Sequence, residues 1–416
     1  MSALLDHRKR PRVAVTGIGV KTPAGTDLAS FWSTVVAGHA TAQGIKRFDA
    51  SALPVRFAGE VTGFDPIPYF GAKEARRADR VTQLGFASAA DALADAGELD
   101  ADPARCAVVI GTGVGGLDSL EANVETFLTR GPSRVSPFFV PMMMPNASAG
   151  VTAMQFGWTG PNMCIATACA AGSHAIGEGA RLIRDGSADV VAAGGTEAAV
   201  TPVTISAFAR MGALSTRNDD PQRASRPFDE ARDGFVIGEG AAALILESLD
   251  HAQARGARIY GEVLGYGRNA DAYHITAPAP DGTGAAVCMQ LAIDDAALTP
   301  ADIGHVNAHG TSTALNDSAE AEAIRKVFGG AAPPVTSAKG VTGHLIGAAG
   351  AVEAAASLLS LCNGLVPPTA NVERLGDDIQ LDVVFGSPRE IGVRPVLSNS
   401  FAFGGHNSTL IFGASS

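Results

Sequence analysis

The chain has 416 residues, of which 46% are hydrophobic, so it can bury a large core in two domains or two halves. A formal net charge of −11 excludes nucleic acid as the main partner, because phosphate binding needs a basic excess, although a local basic patch would still suit an acidic protein. Five cysteines (Cys106, Cys164, Cys169, Cys288 and Cys362) with no C-x-x-C pair argue against a disulfide framework or a zinc site, and 49 glycines favour a layered α/β protein in which backbones approach closely.

The basic stretch His7–Arg12 precedes a strand-like Val13-Ala-Val-Thr-Gly rather than a long apolar leader, so a cytoplasmic location is expected. The absence of a run of 18 or more apolar residues predicts no membrane span. Residues 73–80 (Lys-Glu-Ala-Arg-Arg-Ala-Asp-Arg) form a basic cluster, either a docking face or a solvated helix face. A helical pattern from Phe86 to Ala96 leads to the strand Cys106–Ile110, which ends in Gly111-Thr-Gly-Val-Gly-Gly116. That run satisfies G-x-G-x-x-G, but no compact βαβ unit with an acidic ribose partner follows, so a dinucleotide site is not expected. Pro137–Met144, with its paired phenylalanines and triple methionine, reads as deformable lining of an apolar cavity.

Further along, Thr167-Ala-Cys169 opens a small-residue helix predicted to reach about Asp185. Residues 238–247 read as a buried strand closing a first half, residues 251–258 as a hinge, and Arg258-Ile-Tyr-Gly-Glu-Val as the start of a second. The predicted division is 1–256 and 257–416. In the second half a helix over 287–297 leads to Asn307-Ala-His-Gly-Thr, and Thr342-Gly-His344 opens another helix, predicted to reach about Leu361. The parallel implies a duplication that places Cys169 and His344 at equivalent helix starts, meeting at the centre of the molecule.

Cys169 carries the most chemistry. A helix start donates backbone N–H groups that favour thiolate, and Ala168, Ala170, Ala171 and Gly172 leave room for a substrate. The other four cysteines are expected to be ordinary buried ones. His309 and His344 stand in glycine-flanked turns, with Lys339 five residues before His344. One thiol and two distant imidazoles point to covalent acyl chemistry rather than a metal site.

Four ordered motifs complete the reading: Ala-Thr-Ala-Cys-Ala-Ala-Gly (166–172), Asn-Ala-His-Gly-Thr-Ser-Thr (307–313), Lys-Gly-Val-Thr-Gly-His-Leu-Ile-Gly-Ala-Ala-Gly (339–350) and Ser-Asn-Ser-Phe-Ala-Phe-Gly-Gly-His-Asn (398–407). In them the chain resembles the β-ketoacyl-acyl-carrier-protein synthases, synthase II and bacterial polyketide ketosynthases included. The resemblance implies the thiolase fold, two duplicated α/β halves in a five-layered αβαβα sandwich. It implies decarboxylative condensation of an acyl thioester with malonyl-carrier protein, in fatty-acid elongation or type II polyketide assembly. Cys169 would be the nucleophile, with Phe403 sharing its oxyanion hole; His309 and His344 would stabilise the enolate, and Lys339 with its charge partner Glu353 would organise the His344 turn. Thr311 and Thr313 would meet the phosphopantetheine arm, and Val114, Phe208 and Phe138 would line the acyl pocket, the segment around Phe138 reaching in from a dimer partner. Lys73, Arg76, Arg77 and Arg134 would meet an acidic acyl carrier protein. No free cofactor, metal, nucleic acid or membrane is implied, and the chain would work as a homodimer or beside a chain-length-factor homologue.

Two readings compete with this one. A coenzyme A thiolase would want a second cysteine in 398–407, where none stands, and a non-catalytic chain-length factor would lack Cys169. Ala402 departs from the usual glycine and puts the mobility of the Phe403 loop in question.

Overall fold

The computed structural model describes residues 4–415. The first half supplies strands β1 (Val13–Lys21), β2 (Cys106–Gly111), β3 (Asn162–Ile165), β4 (Val190–Glu197) and β5 (Gly240–Ser248). The second supplies β6 (Gly261–Ala270), β7 (His305–Asn307), β8 (Val335–Thr336), β9 (Val396–Ala402) and β10 (His406–Gly413). Their order is β8-β7-β9-β10-β6-β1-β5-β4-β2-β3. Counted outward from the centre, the first half runs β1-β5-β4-β2-β3 and the second β6-β10-β9-β7-β8, the same path with five added to every label.

Orientation repeats as well. β5 is antiparallel to β1 and β4, as β10 is to β6 and β9; β2 and β7 are each parallel to both neighbours. The halves join where Ala14 and Val15 of β1 face Glu262 and Gly261 of β6. β2, β4 and β5 read as near-continuous apolar or small-residue runs because helices cover both faces.

On the outside, α1 (Arg80–Ala96) and α2 (Ala147–Phe156) cover the first half, and α4 (Thr283–Asp295) and α5 (Ala314–Phe328) belong to the second. Between the two five-stranded leaves lie α3 (Ala171–Arg184) and α6 (Ala349–Asn363), packed on each other and on strands of both halves. The result is the five-layered sandwich of the thiolase fold. Glycine makes the outer contacts possible in both halves. A Cβ on Gly17 or Gly19 of β1 would fall 2.1 or 2.0 Å from carbonyls of α1, and one on Gly265 or Gly267 of β6 would fall 2.2 or 2.1 Å from carbonyls of α4.

Two expectations shift. Each central helix is preceded by a 3-10 turn, Ala168–Ala170 before α3 and Ile346–Ala348 before α6, so the helices begin later than predicted. Aligning Ala171 with Ala349 makes Gly347 the counterpart of Cys169; His344 lies three residues upstream of that position. The stretch Ile346–Asn363 is long and apolar enough, by length and composition alone, to cross a membrane, but 89% of it is buried inside the protein. It is the core helix α6 with its leading turn.

Candidate active site

Cys169 sits in the middle of the 3-10 turn between β3 and α3, with Ala168 holding a left-handed φ of 48° to turn the chain sharply. His309 follows β7, where its own N–H and that of Gly310 donate to the two oxygens of Glu320 at 2.8 and 2.7 Å. His344 follows the short helix Lys339–Thr342 and is anchored by backbone bonds to Val236 and Gly238. The sulfur and the two imidazoles converge so that their reactive atoms lie within 4.8 Å of one another, all three residues being buried. The His309 and His344 rings meet edge to face with centroids 5.4 Å apart.

Hydrogen bonding sets the imidazole tautomers. The Lys339 ammonium donates to His309 Nδ1 at 3.2 Å and to the His309 carbonyl at 2.6 Å, while the Ile346 N–H donates to His344 Nδ1 at 3.3 Å. Each Nδ1 is therefore an acceptor, and in a neutral ring the hydrogen resides on Nε2. Burial, with Lys339 nearby, holds both histidines well below the usual imidazole range, so they are neutral. Two Nε2–H donors beside a thiol suit an anionic oxygen rather than a metal ion, although the distances alone would fit one.

The Cys169 thiol departs from its sequence expectation. Burial pushes it up to about 11, against the opposing pull of Lys339 and of the backbone N–H groups of Phe403 and Cys169. The resting residue is a thiol, because the loss of hydration outweighs the polarity of the turn. The other expectation about cysteines also needs correction: Cys106 and Cys288 are buried, but Cys164 is half-buried and Cys362 exposed.

Lys339 ion-pairs with Glu353, as expected; its ammonium contacts His309, while its carbonyl accepts the Gly343 N–H at 3.0 Å in the turn that leads to His344. Burial raises the Glu353 carboxyl to about 7. Val114, Phe208, Phe403, Thr311 and Thr313 line one cavity of about 560 Å³ together with Cys169, His309 and His344. The Thr311 and Thr313 hydroxyls are 2.9 Å apart, and Thr313 also caps α5. Phe138 stands outside that cavity, its ring 4.5 Å beneath the Arg77 guanidinium. Lys73, Arg76, Arg77 and Arg134 are exposed. Arg80, at the end of the basic cluster, instead turns inward to Glu239 at 2.6 Å. Ala402 has φ −121° and ψ 157°, ordinary extended backbone, so this conformation does not call for glycine there; Gly404 and Gly405 make the turn, at φ 83° and 72°.

Sequence reasoning missed Glu320, Asp317, Phe235 and Glu197. Asp317 accepts from the Thr311 N–H at 2.9 Å, and Phe235 stacks edge-on against His344 with centroids 5.3 Å apart. The available signal was an acidic residue ending an apolar strand (Glu197) or standing on the buried face of a helix (Asp317, Glu320).

Residues 10–252 match the family model "Beta-ketoacyl synthase, N-terminal domain", and residues 260–373 match "Beta-ketoacyl synthase, C-terminal domain". The chain belongs to the β-ketoacyl synthase family. Among β-ketoacyl synthases it is 48% identical over 414 residues to a 3-oxoacyl-[acyl-carrier-protein] synthase 2 of Synechocystis sp., covering 98% of this chain and 99% of that one. A protein of the same description from Vibrio cholerae is 46% identical over 407 residues, covering 96% and 98%. Of solved structures, the ishigamide ketosynthase/chain length factor superposes with TM-score 0.92 at 37% identity, covering 97% of this chain and 99% of that one. A type II PKS acyl-carrier protein in complex with its ketosynthase gives 0.90 at 32% identity, with the same coverage.

Proposed function

We propose that this β-ketoacyl synthase joins an acyl thioester to malonyl-carrier protein, releasing CO2 and 3-oxoacyl-carrier protein. The observation that carries the reading is the convergence of a buried thiol with two imidazoles whose Nε2–H groups are left free to donate.

Cys169 Sγ attacks the acyl carbonyl and gives up its proton, and the carrier sulfur leaves as a thiol after taking up a proton, giving an acyl-enzyme. The oxyanion formed on the way lies against the N–H groups of Cys169 and Phe403, the groups that already face the sulfur. Preorganised donors of this kind supply about 2.7–4 kcal/mol each. Malonyl thioester then loses CO2, and the electron pair passes to an enolate whose oxygen accepts hydrogen bonds from His309 and His344. The enolate carbon attacks the Cys169-bound carbonyl, forming the new bond and expelling the thiolate. Lys339 holds His309 in its donor form, and Glu353 balances the buried ammonium. Thr311 and Thr313 would receive the phosphopantetheine arm at the cavity mouth, and no free cofactor is called for.

The carrier protein would dock against the exposed Lys73, Arg76, Arg77 and Arg134, which steer an acidic partner more than they tighten it. The two halves divide at 256/257. Relatives described as 3-oxoacyl-[acyl-carrier-protein] synthase 2 favour the reading of fatty-acid elongation, and the chain would then act as a homodimer. Likeness to a ketosynthase/chain length factor supports a second reading, a polyketide ketosynthase beside a non-catalytic homologue. A cytoplasmic location goes with either.

Acyl transfer and condensation separate the roles. C169A is expected to trap no acyl group by intact-protein mass spectrometry, while H309A and H344A still acylate but condense at least about 10²-fold more slowly. Covalent loading of C169A at the wild-type rate would refute the nucleophile assignment.

A further inference from the structure

Glu197 ends β4 fully buried at the junction of the two halves. One of its oxygens, Oε2, accepts the Gly113 N–H at 2.6 Å and the Gly347 N–H at 3.1 Å; the other accepts the Thr112 hydroxyl at 3.0 Å. Gly113 belongs to the first half and Gly347 to the second, so a single carboxylate bridges them. Their neighbours Val114 and Ile346 line the cavity that holds Cys169. The two segments touch so closely that a Cβ on Gly113 would lie 3.0 Å from Ile346 Cγ2, and one on Gly347 would lie 2.2 Å from the Gly113 nitrogen.

Ile346 has a φ of 48°, the same as its counterpart Ala168, and for a β-branched residue that is a strained conformation. Two bonds pin the strained turn. The Ile346 N–H donates to His344 Nδ1, and the next N–H, that of Gly347, donates to Glu197. In the first half the N–H of the equivalent elbow residue, Cys169, faces the sulfur and is left for a substrate oxygen. In the second half the matching N–H is occupied by the protein's own carboxylate.

We propose that Glu197 is a positioning residue for the reaction: it clamps the Ile346–Gly347 turn to Gly113, and so fixes both the acyl-cavity wall and the Nε2–H tautomer of His344. This rests on the roles proposed for Cys169 and His344. Without the clamp the turn relaxes toward ordinary φ, the Ile346 N–H leaves the imidazole, and His344 presents a mixture of donor and acceptor to the enolate. Burial raises the Glu197 carboxyl against the N–H groups of Gly113, Gly347 and Gly115 and the Thr112 hydroxyl, and what the clamp needs is an acceptor at Oε2 rather than a charge.

Two variants separate acceptor from charge. In E197D the carboxylate retracts by one methylene and cannot reach both glycines. In E197Q the amide carbonyl can take the Oε2 place while its NH2 donates to the Thr112 hydroxyl. With histidine labelled in 15N, wild-type His344 is expected to show the Nε2–H signature alone, and E197D a tautomer mixture. E197D should condense about 10²-fold more slowly, while Cys169 still accepts a short acyl group within a few-fold of the wild-type rate. Its preference between long and short acyl chains should change by about tenfold. E197Q should return the wild-type tautomer signature and recover most of the condensation that E197D loses.

A mixed tautomer in the wild type overturns the proposal whether or not any variant folds. A folded E197D with the wild-type signature and chain preference overturns it too, as does an E197Q that fails in the same way as E197D. Acyl loading of C169A would instead sink the underlying mechanism, and the imidazole spectrum does not depend on that result.

Discussion

Burial and turn polarity pull the Cys169 thiol in opposite directions, and burial wins by enough to hold it at about 11. Iodoacetamide should therefore label Cys169 slowly at neutral pH, with the rate rising about tenfold per unit between about pH 7 and 10 because only thiolate reacts. Mass spectrometry of the labelled peptide against pH checks this, and a plateau by about pH 8 would mean an activated thiol instead. Lys339 sits at the other electrostatic extreme, an ammonium 1% exposed that serves Glu353 and His309 together. K339M leaves Glu353 buried without its partner, at a cost of about 3–5 kcal/mol. Urea denaturation should show that loss, and the 15N spectrum should show His309 released from its single tautomer.

At the scale of elements, the sulfur and the His344 turn are drawn together because the N-terminal ends of α3 and α6 pack closely, while His309 arrives from the end of β7. Ser173 of α3 hydrogen-bonds Ser400 at 2.7 Å, and a Cβ on Gly350 of α6 would fall 2.1 Å from the same Ser173 hydroxyl. A Cβ on Gly172 would fall 2.8 Å from the Ala351 nitrogen. G350A should therefore push the helices apart and destabilise the fold by about 1–3 kcal/mol. It should slow condensation more than it slows acylation, since the elbow of α3 and the turn before α6 separate together. Chemical denaturation beside the two rate assays reads both effects.

The whole molecule presents a feature that the single chain does not complete. β3 is the outermost strand of the first half, with Met163 37% exposed, and α2 beside it carries Met154, 80% exposed. Phe127 and Leu128 of the helix Leu117–Arg130 are exposed as well. A strand with one open edge and apolar flanks invites a second sheet edge. Analytical ultracentrifugation of the purified chain should show a dimer, and M163E should shift it toward monomer; a wild-type monomer at micromolar concentration would favour a separate partner chain.

Much of this was legible from residue types and spacing. Cys169, His309 and His344 stood out because small residues and glycines surround reactive side chains, and the repeated helix–strand pattern announced a duplication. Periodicity also located the central helices to within a few residues. It could not show that a 3-10 turn precedes each one, and so it aligned Cys169 with His344 where the backbone aligns it with Gly347. A turn of three residues leaves no periodic trace. Nor could spacing choose between His309 and His344 as the neighbour of Lys339: His344 is near in the chain, but β7 and β8 run side by side and bring His309 to the ammonium.

Chemical identity and order along the chain thus pointed to a layered α/β protein, to duplicated halves and to the three reactive groups, because these depend on local pattern and on which side chains exist; the thiolase fold itself was implied by the family resemblance. Tertiary structure decided the protonation of the thiol, the tautomers of the imidazoles and the clamp at Glu197. Each of those depends on what water is excluded and which distant donor arrives, and neither is a property of neighbouring residues.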